Sequence, residues 1–160
     1  MWRMYGRRPL TRLELGLYAL IIAVAVSVFF DRLLAAMELA ERSAMETTVI
    51  GVNNAITVRL TYEMLNSQRS NVGGALTRNP LEIAKATPPN YLGEMVAPDL
   101  NVLPRGVWVY DLSSHELVYL PRLRRDLETP DKIAAIRFHL IAGNPPTRYM
   151  LVPTSRYVWE

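Results

Sequence analysis

Glu14 is the residue whose position most strongly suggests a chemical role. It places a carboxylate at the start of an apolar run, where a charge costs a few kcal/mol unless it is paired or reaches the interface. In one interpretation Glu14 snorkels beside Arg12. In the other it pairs with a positive group on a neighbouring helix and fixes register in an assembly. Glu14 and Arg12 are therefore candidate residues for helix pairing.

Residues for catalysis or metal binding are sparse. The sequence contains no nucleophile elbow, phosphate loop, dinucleotide fingerprint or paired-histidine motif. With no cysteine and only His115 and His139, thiolate sites are excluded and a histidine-rich metal site is disfavoured. Asp111 and His115 are interpreted as polar turn residues. We expect no enzymatic activity, no metal and no cofactor.

A basic cluster, Arg122, Arg124 and Arg125, is the remaining charged feature. Asp126, Glu128 and Asp131 follow it closely and neutralise much of its field, so a solvated loop is expected. The net charge of +3 is small, and Arg3, Arg7, Arg8 and Arg12 all precede the apolar run. This distribution gives little support to nucleic-acid binding, and we expect none.

The apolar run predicts a transmembrane helix at residues 15–30. No residue from Leu15 to Phe30 is charged, and Leu33 to Met37 extend the span toward the 20 residues that a bilayer requires. The arginines of residues 1–14 predict a cytoplasmic N-terminus by the positive-inside rule, with the remainder extracytoplasmic. A cleaved signal peptide is the main alternative, although no small-x-small site follows the run.

Apolar residues continue at helical spacing beyond the run and predict an amphipathic helix over residues 31–70. This helix either covers a small domain or packs into a multi-subunit bundle. Asn71 to Gly74 should end it. The predicted apolar positions are Leu34, Met37, Met45, Val49, Val52, Ile56, Leu60 and Met64.

Residues 71–160 are predicted to form a connecting segment and a small extracytoplasmic β domain. Asn79-Pro80 should start a short helix that Pro88-Pro89 stops, and Pro88 to Pro104 should be a surface loop with Tyr91 and Leu92 as packing anchors. Aromatic and β-branched runs predict a hairpin and further strands. These are Gly106 to Tyr110, Glu116 to Leu120, Ile136 to Leu140, Arg148 to Val152 and Tyr157 to Trp159. The expected fold class is α+β, with a small antiparallel sheet packed on the long helix.

The stretch Pro9-Leu10-Thr11-Arg12-Leu13-Glu14-Leu15 resembles the N-terminal motif of type IV pilins and type II secretion pseudopilins. The expected architecture, an amphipathic rod after the anchor and then a small sheet, is similar to that family. Three further stretches resemble pilin-like biogenesis proteins of the mannose-sensitive haemagglutinin pilus. These are Asn79-Pro80, Pro89-Asn90-Tyr91-Leu92-Gly93-Glu94, and Trp108-Val109-Tyr110-Asp111 with Leu117-Val118-Tyr119.

The resemblance makes Pro9 and Leu10 the candidate processing junction. Pro9 stands where the family has glycine, and Arg12 replaces an apolar residue. An unprocessed chain would stay anchored in the membrane, which favours an accessory role. The resemblance therefore implies a non-enzymatic inner-membrane component of a pilus or secretion assembly, with pilin or pseudopilin subunits and assembly proteins as partners. The runner-up is a membrane-tethered extracytoplasmic sensor or ligand-binding domain.

Overall fold

The structure is a computed structural model that describes residues 11–65, 73–129, 134–143 and 148–159. It divides into two compact units, an N-terminal unit, Met1–Met37, and a C-terminal unit, Glu38–Glu160. Helix α1 runs from Arg12 to Leu65 and contributes to both. The chain therefore has the α+β composition that the sequence predicts.

In the N-terminal unit, α1 is long and apolar enough to cross a membrane, a property that it shares with signal sequences. Its most apolar 18-residue window has a mean hydropathy of 2.3. Every described residue from 11 to 37 is exposed. The predicted span, residues 15–30, lies inside this segment.

Within the described residues, the C-terminal unit contains the rest of α1, two short helices and seven strands. A 3-10 helix covers Gly73–Thr77, and α2 covers Pro80–Ala84. The strands are β1 (Tyr91–Met95), β2 (Val107–Asp111), β3 (Glu116–Leu120), β4 (Leu127–Glu128), β5 (Ile136–Gly143), β6 (Arg148–Pro153) and β7 (Val158–Trp159). Five of them form one sheet in the order β1-β2-β3-β5-β6, and β4 pairs with β7 in a second, two-stranded sheet.

The main core lies between α1 and the five-stranded sheet. Side chains at three- and four-residue steps along α1 are buried against aromatic and aliphatic residues of the strands, as helical periodicity requires. The buried helix residues are Met45, Val52, Ile56 and Leu60, and Val49 is partly buried. The predicted apolar face is thus confirmed at these positions. Leu34 and Met37 are exposed, and the side chain of Met64 lies outside the described residues.

The hairpin of β2 and β3 is the centre of the sheet and is confirmed as predicted. Trp108 is paired with Tyr119 across the two antiparallel strands, and their ring centroids are 4.7 Å apart. The ring of Phe138 lies 5.9 Å from Trp108. All three side chains are buried, so this aromatic cluster is a packing element of the core.

The prediction of a surface loop over Pro88 to Pro104 is wrong in part, because it contains strand β1. This strand pairs with β2 in parallel, so the sheet is mostly antiparallel and not wholly so. Gly93 adopts φ +106, which allows an irregular register that a simple alternation pattern does not signal. Tyr91 packs against the core as predicted, whereas Leu92 is 41% exposed and is not an anchor.

Two further boundaries differ from the predictions. The expected solvated loop after β3 contains β4, and the predicted final strand, observed as β7, joins β4 instead of the main sheet. Helix α2 begins at Pro80 with Asn79 as N-cap, as predicted, but Lys85 in a left-handed conformation ends it before Pro88. For α1, described helix reaches Leu65, and 66–70 of the predicted 31–70 segment lie outside the described residues, as do Asn71 and Val72.

Trp108→Ala should destabilise the C-terminal unit by about 3–5 kcal/mol, because it removes the largest side chain of the aromatic cluster and leaves a cavity. Val102→Ala is the control, since Val102 is 77% exposed and should change stability by less than about 0.5 kcal/mol. Denaturant unfolding of the full chain in detergent measures both. Equal effects of the two substitutions would contradict the assignment of Trp108 to the core.

Candidate functional site

Glu14 is held by a capping box at the start of α1. The Thr11 backbone N–H and hydroxyl donate to the same Glu14 carboxylate oxygen, at 2.8 and 2.9 Å. The Glu14 backbone N–H donates back to the Thr11 hydroxyl at 3.3 Å. This reciprocal pair satisfies backbone donors that the first helical turn would otherwise leave unpaired. Glu14 therefore has a local structural role in addition to any role in assembly.

The other predicted N-terminal residues are only partly described. Arg12 is the first residue of α1 and is exposed, as Glu14 is, so both side chains are accessible to a partner. Pro9 and Leu10, the candidate processing junction, lie outside the described residues. Pairing of Glu14 with a second helix remains a prediction.

Two carboxylates on the first turn of the C-terminal unit organise its polar contacts. Glu41 accepts hydrogen bonds from the Tyr119 hydroxyl at 2.7 Å and from the backbone N–H groups of Arg122 and Leu123 at 2.7 and 3.0 Å. Burial, and then the bond to Glu41, raise the pKa of the Tyr119 hydroxyl. The segment that leaves β3 is thereby attached to α1.

Glu38 lies one helical turn before Glu41 and is 3% exposed. Its carboxylate accepts from the Asp126 backbone N–H at 3.1 Å and from the Trp159 indole N–H at 2.8 Å. Arg42 donates to the backbone carbonyl of Trp159. This helical turn therefore holds the end of the chain as well as the segment after β3.

The outward face of α1 in the C-terminal unit is almost uncharged. Between Leu39 and Tyr62, Arg59 is the charged residue among the exposed positions, and it forms an ion pair with Glu63 at 3.1 Å. A solvated helix face normally carries many charges. The other exposed positions are Leu39, Ala40, Ser43, Ala44, Thr47, Ile50, Gly51, Asn54, Val58, Thr61 and Tyr62.

An open groove of about 580 Å³ adjoins this outward face. It lies between the later turns of α1 and the end of α2, with Val58 and Tyr62 on one side and Ala84 and Lys85 on the other. The lining is mainly apolar, and no pair of acid and base groups converges on it. The groove can accept apolar side chains.

Asp111 is the last residue of β2 and His115 lies in the turn that follows, so both are polar residues of the hairpin turn region, close to the prediction. The Asp111 carboxylate accepts from the backbone N–H groups of Ser113 and Ala97 and from the hydroxyls of Ser113 and Ser114. Burial alone would raise the pKa of Asp111, but these bonds outweigh it and hold the pKa below its usual value. His115 has φ +57 in the turn. No group of three potential metal-ligating side chains occurs within the described residues.

Sequence reasoning missed both carboxylate arrangements. The Thr11-x-x-Glu14 spacing is a capping-box signature. The capping role of Glu14 could therefore have been predicted from the sequence. Glu38 and Glu41 carry no such local signature, because their partners lie 78–121 residues away in the chain. The sequence signal for this arrangement was a pair of acidic residues at i and i+3 on the core side of an amphipathic helix, since such residues lie on the same helix face.

No family model, curated protein or solved structure matches this chain.

Glu41→Gln should destabilise the C-terminal unit by about 2 kcal/mol, because an amide cannot accept every hydrogen bond that the carboxylate accepts. Glu46→Gln is the matched control. Glu46 forms a half-exposed ion pair with Arg42, which contributes at most about 1 kcal/mol. Denaturant unfolding reports stability, and amide hydrogen exchange at Arg122 and Leu123 should accelerate in Glu41→Gln alone. Unchanged exchange there would show that Glu41 does not hold the segment.

Proposed function

We propose that this chain is a non-enzymatic, single-pass component of a type IV pilus or type II secretion assembly in a bacterial inner membrane. The N-terminus lies in the cytoplasm and the C-terminal unit in the periplasm. Helix α1 contacts pilin or pseudopilin subunits and inner-membrane assembly proteins. Residues 15–30 anchor the chain, and its role is that of a minor pilin-like or biogenesis protein.

The observation that carries this proposal is the outward face of α1, whose exposed positions between Leu39 and Tyr62 are uncharged except for Arg59. Covering such a face with another helix removes apolar side chains from water without desolvating unpaired charges, which would oppose association. Ser43, Thr47 and Gly51 are small residues at four-residue intervals on this face, a spacing that allows close helix approach. A Cβ atom at Gly51 would meet nothing within 4 Å.

The runner-up function, a membrane-tethered ligand-binding domain, draws its support from the groove beside α2. Val58 belongs both to that groove and to the outward face. A label at Val58 therefore reports on either function, and the identity of the bound molecule distinguishes them. A crosslink to another membrane protein favours the assembly component.

Site-specific crosslinking tests the proposal directly, because the chain has no native cysteine and each introduced cysteine is unique. Val58→Cys should crosslink to partner proteins in native membranes through the outward face. Val102→Cys is the matched control, since the two valines are 72% and 77% exposed and Val102 is not on α1. We expect at least a five-fold higher yield at position 58, and equal yields would count against the proposal.

Glu14 variants separate its capping role from the proposed pairing. Glutamine can replace glutamate in a capping box, so Glu14→Gln keeps the bond from the Thr11 N–H and removes the charge, whereas Glu14→Leu removes both. If Glu14 pairs with a cation on a partner helix, both variants should weaken association by roughly 1–3 kcal/mol. The measurement is crosslinking yield from Val58→Cys at constant protein level.

The alternatives give different patterns in the same assay. If Glu14 has only a capping role, Glu14→Gln should behave like the parent chain. Glu14→Leu should then lower the stability of the first turn of α1 by about 1 kcal/mol. Snorkelling alone leaves both variants unchanged. Glu14→Asp retains the charge with a shorter reach and should be partly tolerated.

A further inference from the structure

A second cavity of the C-terminal unit, here named the arginine pocket, lies between α1 and the segment that precedes β1. Its volume is about 420 Å³, which is within the range of small-molecule sites. Its floor consists of buried side chains from α1, β2 and β3, namely Met45, Trp108 and Tyr119. Among the described residues, none lines both this pocket and the groove beside α2. The arginine pocket is therefore a separate site.

One wall of the pocket is held rigidly against β2. Pro88 and Pro89 line it, and their rings restrict the backbone there. The side-chain amide of Asn90 donates to the backbone carbonyl of Gly106, and the backbone N–H of Trp108 donates to the backbone carbonyl of Asn90 at 3.1 Å. Because these bonds form within the chain, the pocket is shaped before a ligand arrives, which lowers the entropy cost of binding.

Arg122 supplies the charge of the pocket, because it is the charged residue among the described residues that line it. Its side chain crosses Gly106, where φ is +77, and its Cγ, Cδ and Nε atoms occupy the space that a Cβ there would take. Glycine at this position therefore determines where the side chain of Arg122 lies. Within the part of the chain that the structure describes, the Arg122 guanidinium forms no ion pair.

Glu41 is the carboxylate that acts on this region, and its hydrogen bonds go to other groups. It accepts from the Tyr119 hydroxyl and from the backbone N–H groups of Arg122 and Leu123, so none of these donors belongs to the guanidinium. Burial and then Glu41 raise the pKa of the Tyr119 hydroxyl, whereas the positive charge of Arg122 lowers it. The guanidinium charge therefore acts on the floor of the pocket.

We propose that the arginine pocket binds a small aromatic monocarboxylate. A guanidinium binds a carboxylate through two parallel N–H donors, and the floor of Trp108 and Tyr119 can pack against an aromatic ring. A phosphate is a poorer match, because its second charge calls for a second cation and the described lining contains one. This inference goes beyond the proposed function, since it concerns a ligand of the C-terminal unit alone.

Solution NMR of the isotopically labelled full chain in a non-ionic detergent tests the proposal, with 1-naphthylacetate as the probe. This carboxylate has about 14 non-hydrogen atoms, for which a dissociation constant of about 1 mM or lower is expected. The backbone amide signals of Asn90 and Arg122 should shift saturably. The amide signal of Val102, which is exposed and outside the pocket lining, should not shift. The uncharged 1-naphthylacetamide should bind roughly ten-fold more weakly.

Arginine variants assign the charge that the probe recognises. Arg122→Gln should weaken naphthylacetate binding roughly ten-fold, because it removes the guanidinium and keeps the backbone N–H that binds Glu41. Arg122→Lys retains the charge without the paired donors and should lie between the parent and Arg122→Gln. Arg124→Gln is the matched control, since Arg124 is exposed and outside the pocket lining. Its affinity should stay within about two-fold of the parent.

Several results would overturn the proposal. One is the absence of saturable shifts at Asn90 and Arg122, and another is equal binding of the acid and the amide. An equal loss in Arg122→Gln and Arg124→Gln would reflect net charge alone. N-acetylphenylalanine tests a peptide C-terminus as the occupant, and binding roughly ten-fold tighter than that of naphthylacetate would assign the pocket to a peptide instead.

A further variant tests the pocket without altering Arg122. Ala44 lines the pocket and is exposed, so Ala44→Phe should fill part of the cavity without disturbing the core. It should weaken naphthylacetate binding roughly ten-fold by excluding the ring. If Arg122→Gln folds poorly by circular dichroism, Ala44→Phe decides, and unchanged affinity in that variant overturns the proposal.

The outcome is independent of the proposed function, because the titration uses the full chain without partner proteins. If the probe does not bind but Val58→Cys still crosslinks to membrane proteins, the ligand inference fails alone. If the probe binds but those crosslinks are absent, the proposed function fails alone.

Discussion

The hydrogen bonding of Glu38 and Glu41 is the constraint on which the C-terminal unit depends. These carboxylates lie at i and i+3 and so project from the same face of α1. Together they accept from Tyr119, from three backbone N–H groups after β3 and from the Trp159 indole. A buried carboxylate is tolerated only where donors replace its water. Among the described residues, no buried side-chain polar atom lacks a partner.

The need to supply donors to buried carboxylates explains why the contacts of α1 change along the C-terminal unit. Toward the sheet, apolar residues such as Ile56 and Leu60 are buried and supply the hydrophobic contribution. At the first turn of the C-terminal unit, polar residues on the core side bind the segment after β3 and the segment that contains Trp159. Neither segment belongs to the five-stranded sheet. The charged residues nearest the outward face pair with each other, Arg42 with Glu46 and Arg59 with Glu63. The outward face consequently carries few charges, and its exposed Arg59 is paired with Glu63.

The sequence was informative where periodicity or a local signature determines the structure. The apolar N-terminal helix, the β2-β3 hairpin, the cap at Asn79 and the core positions of α1 follow from spacing and turn chemistry. Strand β1 was missed because its pairing with β2 is parallel and interrupted at Gly93. Strand β7 was predicted, but its pairing with β4 was missed because β4 has only two residues, too few for a pattern to be recognised. Such elements depend on partners distant in the chain, which a single sequence does not reveal.

The separation of these bonding partners along the sequence determines when the fold can be completed. The bond between Trp159 and Glu38 joins residues 121 positions apart, and the bonds to Glu41 span 78–82 positions. Because a chain is synthesised from its N-terminus, α1 exists before any of these donors. Glu38 and Glu41 must remain hydrated during that interval, and they lose water only when β3 and the last residues arrive. The side-chain hydrogen bonds of Glu38 and Glu41 are therefore completed only after Trp159 has been made, although the helical turn that carries them is made early.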